Sequence, residues 1–130
     1  MELDKETLED LEHDAYLIKD AYNVEFDLHG IEAIEKVLNE QRDELDILSE
    51  DDLELLANSI GVFVGECMVR NYNGEWHIKD NQYAVLVKSI YAFPIRKTYK
   101  FLQKDGIHTE SISSFYRVSE NLGEILDNNS

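Results

Sequence analysis

Cysteine and proline are almost missing from this chain of 130 residues, which contains one of each. A single cysteine, Cys67, excludes an intramolecular disulfide, and the apolar run around it is the setting in which a free cysteine acts as a small hydrophobe. With one proline, Pro94, and only six glycines, no Pro/Gly-rich linker divides the sequence. We therefore expect one domain over residues 1–130, with frayed ends at residues 1–4 and 127–130.

Long hydrophobic runs are missing as well. The longest apolar stretch, residues 60–69, contains Glu66 and is too short to span a bilayer. The first ten residues, MELDKETLED, are acidic and lack the apolar core of a signal peptide. Together these features predict a cytoplasmic protein with no membrane partner.

Positive charge is scarce, since 28 acids oppose 12 bases and the formal net charge is −16. Residues 1–60 hold 20 acids and 4 bases, whereas residues 61–130 hold 8 of each. Such a field repels nucleic acid and attracts basic surfaces. It predicts a basic protein partner and no nucleic-acid partner, although an acidic face that only keeps the protein soluble is the simpler alternative. The candidate acidic interaction surface comprises Glu9, Asp10, Glu40, Asp43, Glu44 and Asp51.

Apolar residues recur at helical spacing through the first half of the chain. They predict amphipathic helices over residues 5–22 and about 28–45. Ser49, followed by three acids, is typical of a helix start, and the helix after it is apolar on nearly all sides. A helix of that kind is covered by neighbours on both sides, so we expect it to lie at the centre of the fold.

The second half begins with signals for β structure. Residues 75–78 and 82–87 are typical of strands, Asp80-Asn81 favours the hairpin turn between them, and residues 89–93 follow as a third strand or an extended stretch. Pro94 then favours a helix start and Gly106 a helix end, and a last helix is predicted over residues 111–121. This order predicts an α+β fold. N-terminal helices and a central buried helix pack on a small antiparallel sheet, and C-terminal helices follow.

Glu66 is the residue of the central helix that needs an explanation. It lies four residues before Arg70, the favourable order for an ion pair on a helix, and it could also accept a hydrogen bond from the indole of Trp76. The structural interpretation is preferred, because ion pairs also occur in interiors. The functional alternative makes Glu66 a general base or ligand-orienting group in a pocket with Arg70, Trp76 and His77. In that pocket Arg70 would hold an anionic group and Trp76 would stack on the ligand.

The glycines of the same helix, Gly61 and Gly65, predict close approach of another backbone. No phosphate-binding loop is present, because the chain contains neither Gly-x-Gly-x-x-Gly nor Gly-Lys-Ser/Thr. Histidines at ligand spacing and cysteine pairs are also missing, so we expect no metal site and no cofactor. With no Gly-x-Ser-x-Gly elbow and no base near Cys67 in the sequence, an enzyme is the less favoured class.

A basic segment follows Pro94. Lys97 and Lys100, with Arg96 and Lys104 nearby, alternate with Tyr99 and Phe101. Alone, this pattern is typical of phosphate or nucleic-acid contact. The net charge of −16 favours contact with the acidic helices of the same chain or of a second copy, so a homo-oligomer is a further alternative.

The stretch SIGVFVGECMVRNYNGEW lies between VEFDLHGIEAIEKVLNEQR and two later segments, FPIRKTYKFLQKDG and SISSFY. Together they resemble small uncharacterised bacterial domains with a Gly-x-Phe/Tyr-x-Gly-Glu…Gly-x-Trp motif. The matching residues are Gly61, Phe63, Gly65, Glu66, Arg70, Gly74, Trp76, Pro94, Lys97, Lys100 and Gly106. Phe63 replaces the usual tyrosine, and Asn73 replaces the first glycine of a pair. Some small acidic proteins of this type look like immunity proteins for polymorphic toxins. The resemblance implies an interaction role of the immunity or antitoxin kind. The charge of residues 1–60 adds the expectation that the partner is basic and binds the acidic N-terminal half.

Overall fold

The computed structural model describes residues 2–103 and 111–128, the last seven of these by their backbone alone. The α+β class predicted from the sequence is confirmed, because helices precede and follow a small three-stranded antiparallel sheet. In chain order the elements are α1 (Lys5–Tyr22), α2 (Leu28–Glu40), α3 (Arg42–Asp46), α4 (Glu50–Asn71), β1 (Glu75–Lys79), β2 (Gln82–Val87), β3 (Ile90–Ala92), α5 (Pro94–Leu102) and α6 (Ile112–Asn128).

Helix α4 is the predicted central helix. Its start is capped by Ser49, whose hydroxyl accepts a hydrogen bond from the Asp52 amide at 3.2 Å. Nine consecutive residues, 60–68, are buried, so every side of this stretch is covered. The helix ends where Asn73 adopts a left-handed conformation (φ 57°) and the Gly74 amide donates to the Met68 carbonyl at 3.2 Å. The burial confirms that neighbours enclose α4 on all sides.

The sheet has the order β1-β2-β3, with each neighbouring pair antiparallel. Asp80 and Asn81 turn the first hairpin, both with the positive φ (54° and 63°) that a tight two-residue turn requires. Helix α5 begins at Pro94, as predicted, and runs back along α4. Pro94 lies beside Gly65, and Ile95 lies beside Gly61.

The single helix expected over residues 28–45 is wrong, because the structure divides it into α2 and α3. The break lies at Gln41, which has φ −103° and ψ 21°, and its amide contacts two carbonyls of α2 at 3.1 Å each. Directly after the break, Arg42 donates to the Phe101 carbonyl of α5 at 2.7 Å and lies 4.3 Å from the Phe101 ring centroid. Leu45 nonetheless reaches the core and is 4% exposed. The contact between Arg42 and Phe101, 59 positions apart, thus accompanies the break. The hydrophobic pattern around residue 41 carries no signal for this contact.

The C-terminal helices also differ from the expected bounds. Helix α5 ends at Leu102, and Gly106, the expected end, lies outside the described residues. Helix α6 continues to Asn128 where residue 121 was expected to end it. Its inward stripe contains Ser119, 8% exposed, and the expected Val118 is 55% exposed. Because a helix has 3.6 residues per turn, the buried side that contains Ile112 and Tyr116 next includes position 119, not the valine at 118.

Residues 2–4, where fraying was expected, contact other parts of the fold. Glu2 forms a β-bridge with His77, and Leu3 packs against the core. The Asp4 carboxylate accepts a hydrogen bond from the Thr7 amide at 2.8 Å and so caps α1. At the other end, residues 127–128 continue α6, while residues 1, 129 and 130 lie outside the described part.

Glu35 of α2 joins the two halves of the chain. One of its carboxylate oxygens accepts from the Ile112 amide at 2.6 Å and from the Ser111 hydroxyl at 3.1 Å. The other accepts from the Ser113 hydroxyl at 2.8 Å. A carboxylate at this position satisfies amides that have no partner within the helix and complements the positive end of the α6 dipole.

Replacing Glu35 with glutamine is expected to lower the free energy of unfolding by about 1–2 kcal/mol, because hydrogen bonds to a charged acceptor and the dipole interaction both weaken. Urea denaturation measures the change. Glu32→Gln is the matched control on the same helix. Glu32 is exposed, 3.7 Å from Arg117, and its replacement should stay within about 0.5 kcal/mol of wild type. Equal effects of the two variants would contradict the role of Glu35.

Candidate functional site

The two glycines of α4 lie at its closest contacts with other elements. A Cβ at Gly61 would overlap the Ile95 Cα and lie 2.9 Å from the Ile95 nitrogen. A Cβ at Gly65 would overlap the Trp76 ring and lie 3.2 Å from Pro94 Cγ. The predicted close approach of another backbone is confirmed at Gly61, where α5 lies, whereas the neighbours of Gly65 are the side chains of Trp76 and Pro94.

Glu66 is 6% exposed, and both of its carboxylate oxygens have a partner. One accepts a hydrogen bond from the Trp76 indole nitrogen at 3.2 Å. The other lies 3.6 Å from Nε of Arg70. The structural interpretation is therefore the one that the geometry favours, because the carboxylate holds Trp76 against α4 and pairs with Arg70.

Arg70 is surrounded by contacts with other parts of the chain. Its Nη2 atom lies 3.6 Å from the Glu12 carboxylate and donates to the Tyr16 hydroxyl at 3.4 Å, both on α1. Its guanidinium carbon lies 4.3 Å from the Phe26 ring centroid, within cation–π range. Helix α1 and the segment after it are thus attached to the end of α4. These contacts engage the guanidinium that the pocket hypothesis assigned to an anionic ligand.

His77 does not join this cluster. It follows Trp76 directly in β1, and successive side chains of a strand point to opposite faces of the sheet. His77 contacts Glu75, with Nε2 3.5 Å from its carboxylate, and Tyr91, with ring centroids 5.8 Å apart. The structure therefore groups Glu66, Arg70 and Trp76 and places His77 on the other face, so the four residues do not form one pocket.

Lys97 and Lys100 lie on α5, which buries Thr98 and Phe101 and leaves Lys100 exposed. Because α5 runs from Gly65 toward the start of α4, these lysines lie progressively farther from Arg70. At 1.5 Å per residue, Lys100 is about 9 Å along the helix from Pro94. The predicted binding residues are thus divided between the Glu66 cluster, the opposite sheet face and the outer side of α5.

The predicted acidic surface is divided into two regions. Glu9 and Asp10 lie on α1, within one turn of Glu12, which contacts Arg70 near the end of α4. Asp51 lies at the start of α4, about 28 Å from Arg70 along the helix axis at 1.5 Å per residue. Glu40, Asp43 and Glu44 belong with Asp51, because α3 follows α2 directly and leads into α4. All six predicted acids are exposed.

The second region contains apolar residues that the sequence analysis did not identify. Ile47 is 84% exposed and Leu55 is 68% exposed, the two highest values among the exposed large hydrophobic residues of the described part. Arg42 is the only base among residues 40–55, and it is bound to Phe101. We call this region the acidic–aliphatic surface: Glu40, Asp43, Glu44, Asp46, Ile47, Glu50, Asp51, Asp52, Glu54 and Leu55. The sequence carries one signal for this surface, because Leu55 is apolar but lies outside the inward stripe of α4.

Cys67 has no features of a nucleophile. The side chain is fully buried, and desolvation raises the pKa of its thiol well above the ordinary value of 9.0, with a further increase from the Asp27 and Glu66 carboxylates. The thiolate is the reactive form, and burial together with the raised pKa disfavours it.

Within the described residues, no group of three or more His, Cys, Asp or Glu side chains is arranged to hold a metal ion. No helix in that part of the chain combines the length and the apolar character needed to cross a membrane. Comparisons of the sequence and structure with protein-family models, curated proteins and solved structures found no match.

Proposed function

We propose that this protein is an interaction module that binds a basic protein partner through the acidic–aliphatic surface. The observation that carries the proposal is the exposure of Ile47 (84%) and Leu55 (68%) among eight acids. Isolated apolar side chains are common on surfaces, but large aliphatic residues inside a charged rim are typical of protein interfaces. Buried against a partner, such residues supply most of the affinity, while the rim excludes water.

The charges of the surface define the chemistry of the partner. Its acids lie at the end of α2, on α3 and in the first turns of α4, and all of them are exposed. The one base, Arg42, contacts the Phe101 carbonyl and ring and so points toward α5. A field of one sign accelerates association with an oppositely charged surface and disfavours anionic partners. A partner with lysine or arginine around an apolar centre complements it.

The surface is attached to the rest of the fold by three contacts. Leu45, 4% exposed, anchors α3 in the core, and the Ser49 hydroxyl caps α4 at 3.2 Å. The Arg42–Phe101 hydrogen bond at 2.7 Å ties α3 to α5. A preorganised surface loses little conformational entropy on binding, so more of the contact energy appears as affinity.

An immunity- or antitoxin-like role in the cytoplasm is the specific form of this proposal. It is supported by the resemblance to small acidic bacterial domains and by the confinement of the negative charge to residues 1–60. The partner in that case is a basic toxin-like protein, which the module would neutralise by covering its positive surface. The basic side of α5 on a second copy is the alternative partner.

The test is affinity capture from the source organism with wild-type protein and with the double variant Ile47→Asp/Leu55→Asp. The captured protein is identified, and its affinity is then measured by calorimetry. The double variant should bind at least roughly 100-fold more weakly, since two interface anchors are lost. Raising salt from about 0.05 M to about 0.5 M should weaken the wild-type complex steeply, because the Debye length shortens.

The matched control is Glu9→Gln/Asp10→Asn, which removes exposed acids from the other acidic region and should bind as wild type does. All the substituted side chains are exposed, so circular dichroism and melting temperature should be unchanged. The proposal fails if the partner binds the aspartate variant with wild-type affinity, or if the captured protein is acidic. Sedimentation at low salt that shows a dimer, with no other protein captured, would favour the second copy.

A further inference from the structure

A cavity of about 350 Å³ lies between α4, β2 and α5, apart from the Glu66 cluster. This volume is at the lower end of the range of roughly 300–1,000 Å³ for small-molecule sites. Its lining consists of Glu54, Ala57, Asn58, Gln82, Tyr83, Ile95, Arg96 and Tyr99. All of these residues come from helices or strands, so the cavity is built on regular elements.

Two opposite charges line the cavity from different helices, Glu54 from α4 and Arg96 from α5. Within the described part of the chain, neither forms an ion pair shorter than 4.0 Å. The side-chain amides of Asn58 and Gln82 add donors and acceptors beside them. The cavity thus presents one carboxylate, one guanidinium and two amides, with no net charge.

The remaining lining is apolar and aromatic. Tyr83 packs edge-to-face on Trp76, with ring centroids 6.4 Å apart, and the Trp76 indole donates to Glu66. On the other side, the close contact between Gly61 and Ile95 holds α5 against α4. The Glu66–Trp76 hydrogen bond therefore also supports one wall of the cavity. Sites on supported, regular elements hold a ligand in one geometry.

We propose that this cavity binds a free amino acid with an aromatic or aliphatic side chain. The α-carboxylate pairs with Arg96, the α-ammonium pairs with Glu54, and the side chain lies against Tyr83 and Tyr99. Glu54 and Arg96 are both exposed, so water solvates a charge that the ligand does not pair. A ligand that carries both charges gains a contact with each group, whereas a singly charged ligand gains only one. A zwitterion with an apolar side chain matches the whole lining.

A second cavity, on the outer face of α2, has about 410 Å³ and is lined by Glu32, Glu35, Lys36, Asn39 and Glu40. All of its lining residues belong to one helix. The Glu35 carboxylate there already accepts hydrogen bonds from the start of α6. We therefore propose no ligand for this cavity.

The test is a titration of ¹⁵N-labelled protein with phenylalanine, leucine and tryptophan, followed by amide chemical shifts. Phenylalanine is compared with 2-phenylethylamine, which lacks the carboxylate, and with 3-phenylpropionate, which lacks the ammonium. We expect saturable shifts at the cavity residues, with each singly charged analogue binding more weakly by roughly 2-fold to 5-fold, the effect of one lost exposed charge pair. Arg96→Gln should weaken the binding of phenylalanine but not of 2-phenylethylamine, which has no carboxylate to pair with Arg96. Glu54→Gln should weaken the binding of phenylalanine but not of 3-phenylpropionate, which has no ammonium group to pair with Glu54.

The matched control is Glu32→Gln/Arg117→Gln, an exposed pair of opposite charges elsewhere, which should leave all these affinities unchanged. The absence of saturable shifts for all three amino acids, or equal affinities for phenylalanine and its two analogues, overturns the proposal. Glu54 also belongs to the acidic–aliphatic surface. The Ile47→Asp/Leu55→Asp variant separates the two proposals, because it should retain amino-acid binding.

Discussion

Replacing Gly61 with alanine is expected to lower the free energy of unfolding by about 2–4 kcal/mol, because overpacking destabilises a core that has no room for added atoms. Alanine is the better helix former by about 1 kcal/mol, so propensity alone predicts the opposite sign. The added Cβ would overlap the Ile95 Cα, and the Ile95 side chain and nitrogen lie 2.8 and 2.9 Å from its position. A flexible side chain could move aside, but here the backbone of α5 would have to shift.

Urea denaturation followed by the fluorescence of Trp76 measures this effect. The matched control is Asn58→Ala, one turn earlier on α4 at an exposed position, which should raise stability by a few tenths of a kcal/mol, about the propensity difference. If Gly61→Ala were as stable as wild type, α5 could not lie as close to α4 as the structure places it.

Replacing Glu66 with leucine is expected to lower the free energy of unfolding by about 3 kcal/mol, since the Trp76 indole N–H becomes a buried donor without a partner and Arg70 loses a carboxylate. Glu66→Gln should lower it by only about 1–2 kcal/mol, because an amide oxygen still accepts from the indole. A larger loss of stability in Glu66→Leu than in Glu66→Gln would show that the hydrogen bond to the indole contributes in addition to the charge of the carboxylate.

The matched control is Glu12→Gln. Glu12 also contacts Arg70 at 3.6 Å, but its side chain is 52% exposed, so the change should stay within about 0.5 kcal/mol. Chemical denaturation gives all three values, and the Trp76 emission maximum reports whether the indole stays buried. If the leucine variant were more stable than wild type, the carboxylate would not be held for stability, and the hypothesis of a catalytic or ligand-binding Glu66 would gain support.

Much of the fold was predictable because its signals are local. The Ser49 cap, the Asp80-Asn81 turn and the helix start at Pro94 each depend on a few neighbouring residues. The partnership of Glu66 and Arg70 is also local, since four residues separate them on one helix. The hydrogen bond from Trp76, ten residues after Glu66, was considered because only a short turn separates α4 from β1.

The two wrong predictions have different causes, one a distant contact and one a buried polar residue. The break at Gln41 accompanies the contact of Arg42 with a helix 59 positions later, and no local pattern carries that contact. Val118 was assigned to the inward side of α6, although the helix buries Ser119, whose hydroxyl donates to the Phe115 carbonyl at 2.7 Å. A polar residue that satisfies its own hydrogen bond can occupy a buried position that hydrophobicity assigns elsewhere.

The class of the fold, the central position of α4, the confinement of the negative charge to residues 1–60 and the Glu66–Arg70 pair could all be inferred from the sequence. The separation of His77 from Trp76 also follows from a local rule, because neighbouring side chains of the predicted strand point to opposite faces. The packing of the helices was needed to bring Glu54 and Arg96 to one cavity and to leave Ile47 and Leu55 exposed. These two groups of features differ in the range of the interactions that produce them. Helix periods, caps and turns act within about four residues, whereas the environment of a surface or cavity depends on how whole helices pack against each other.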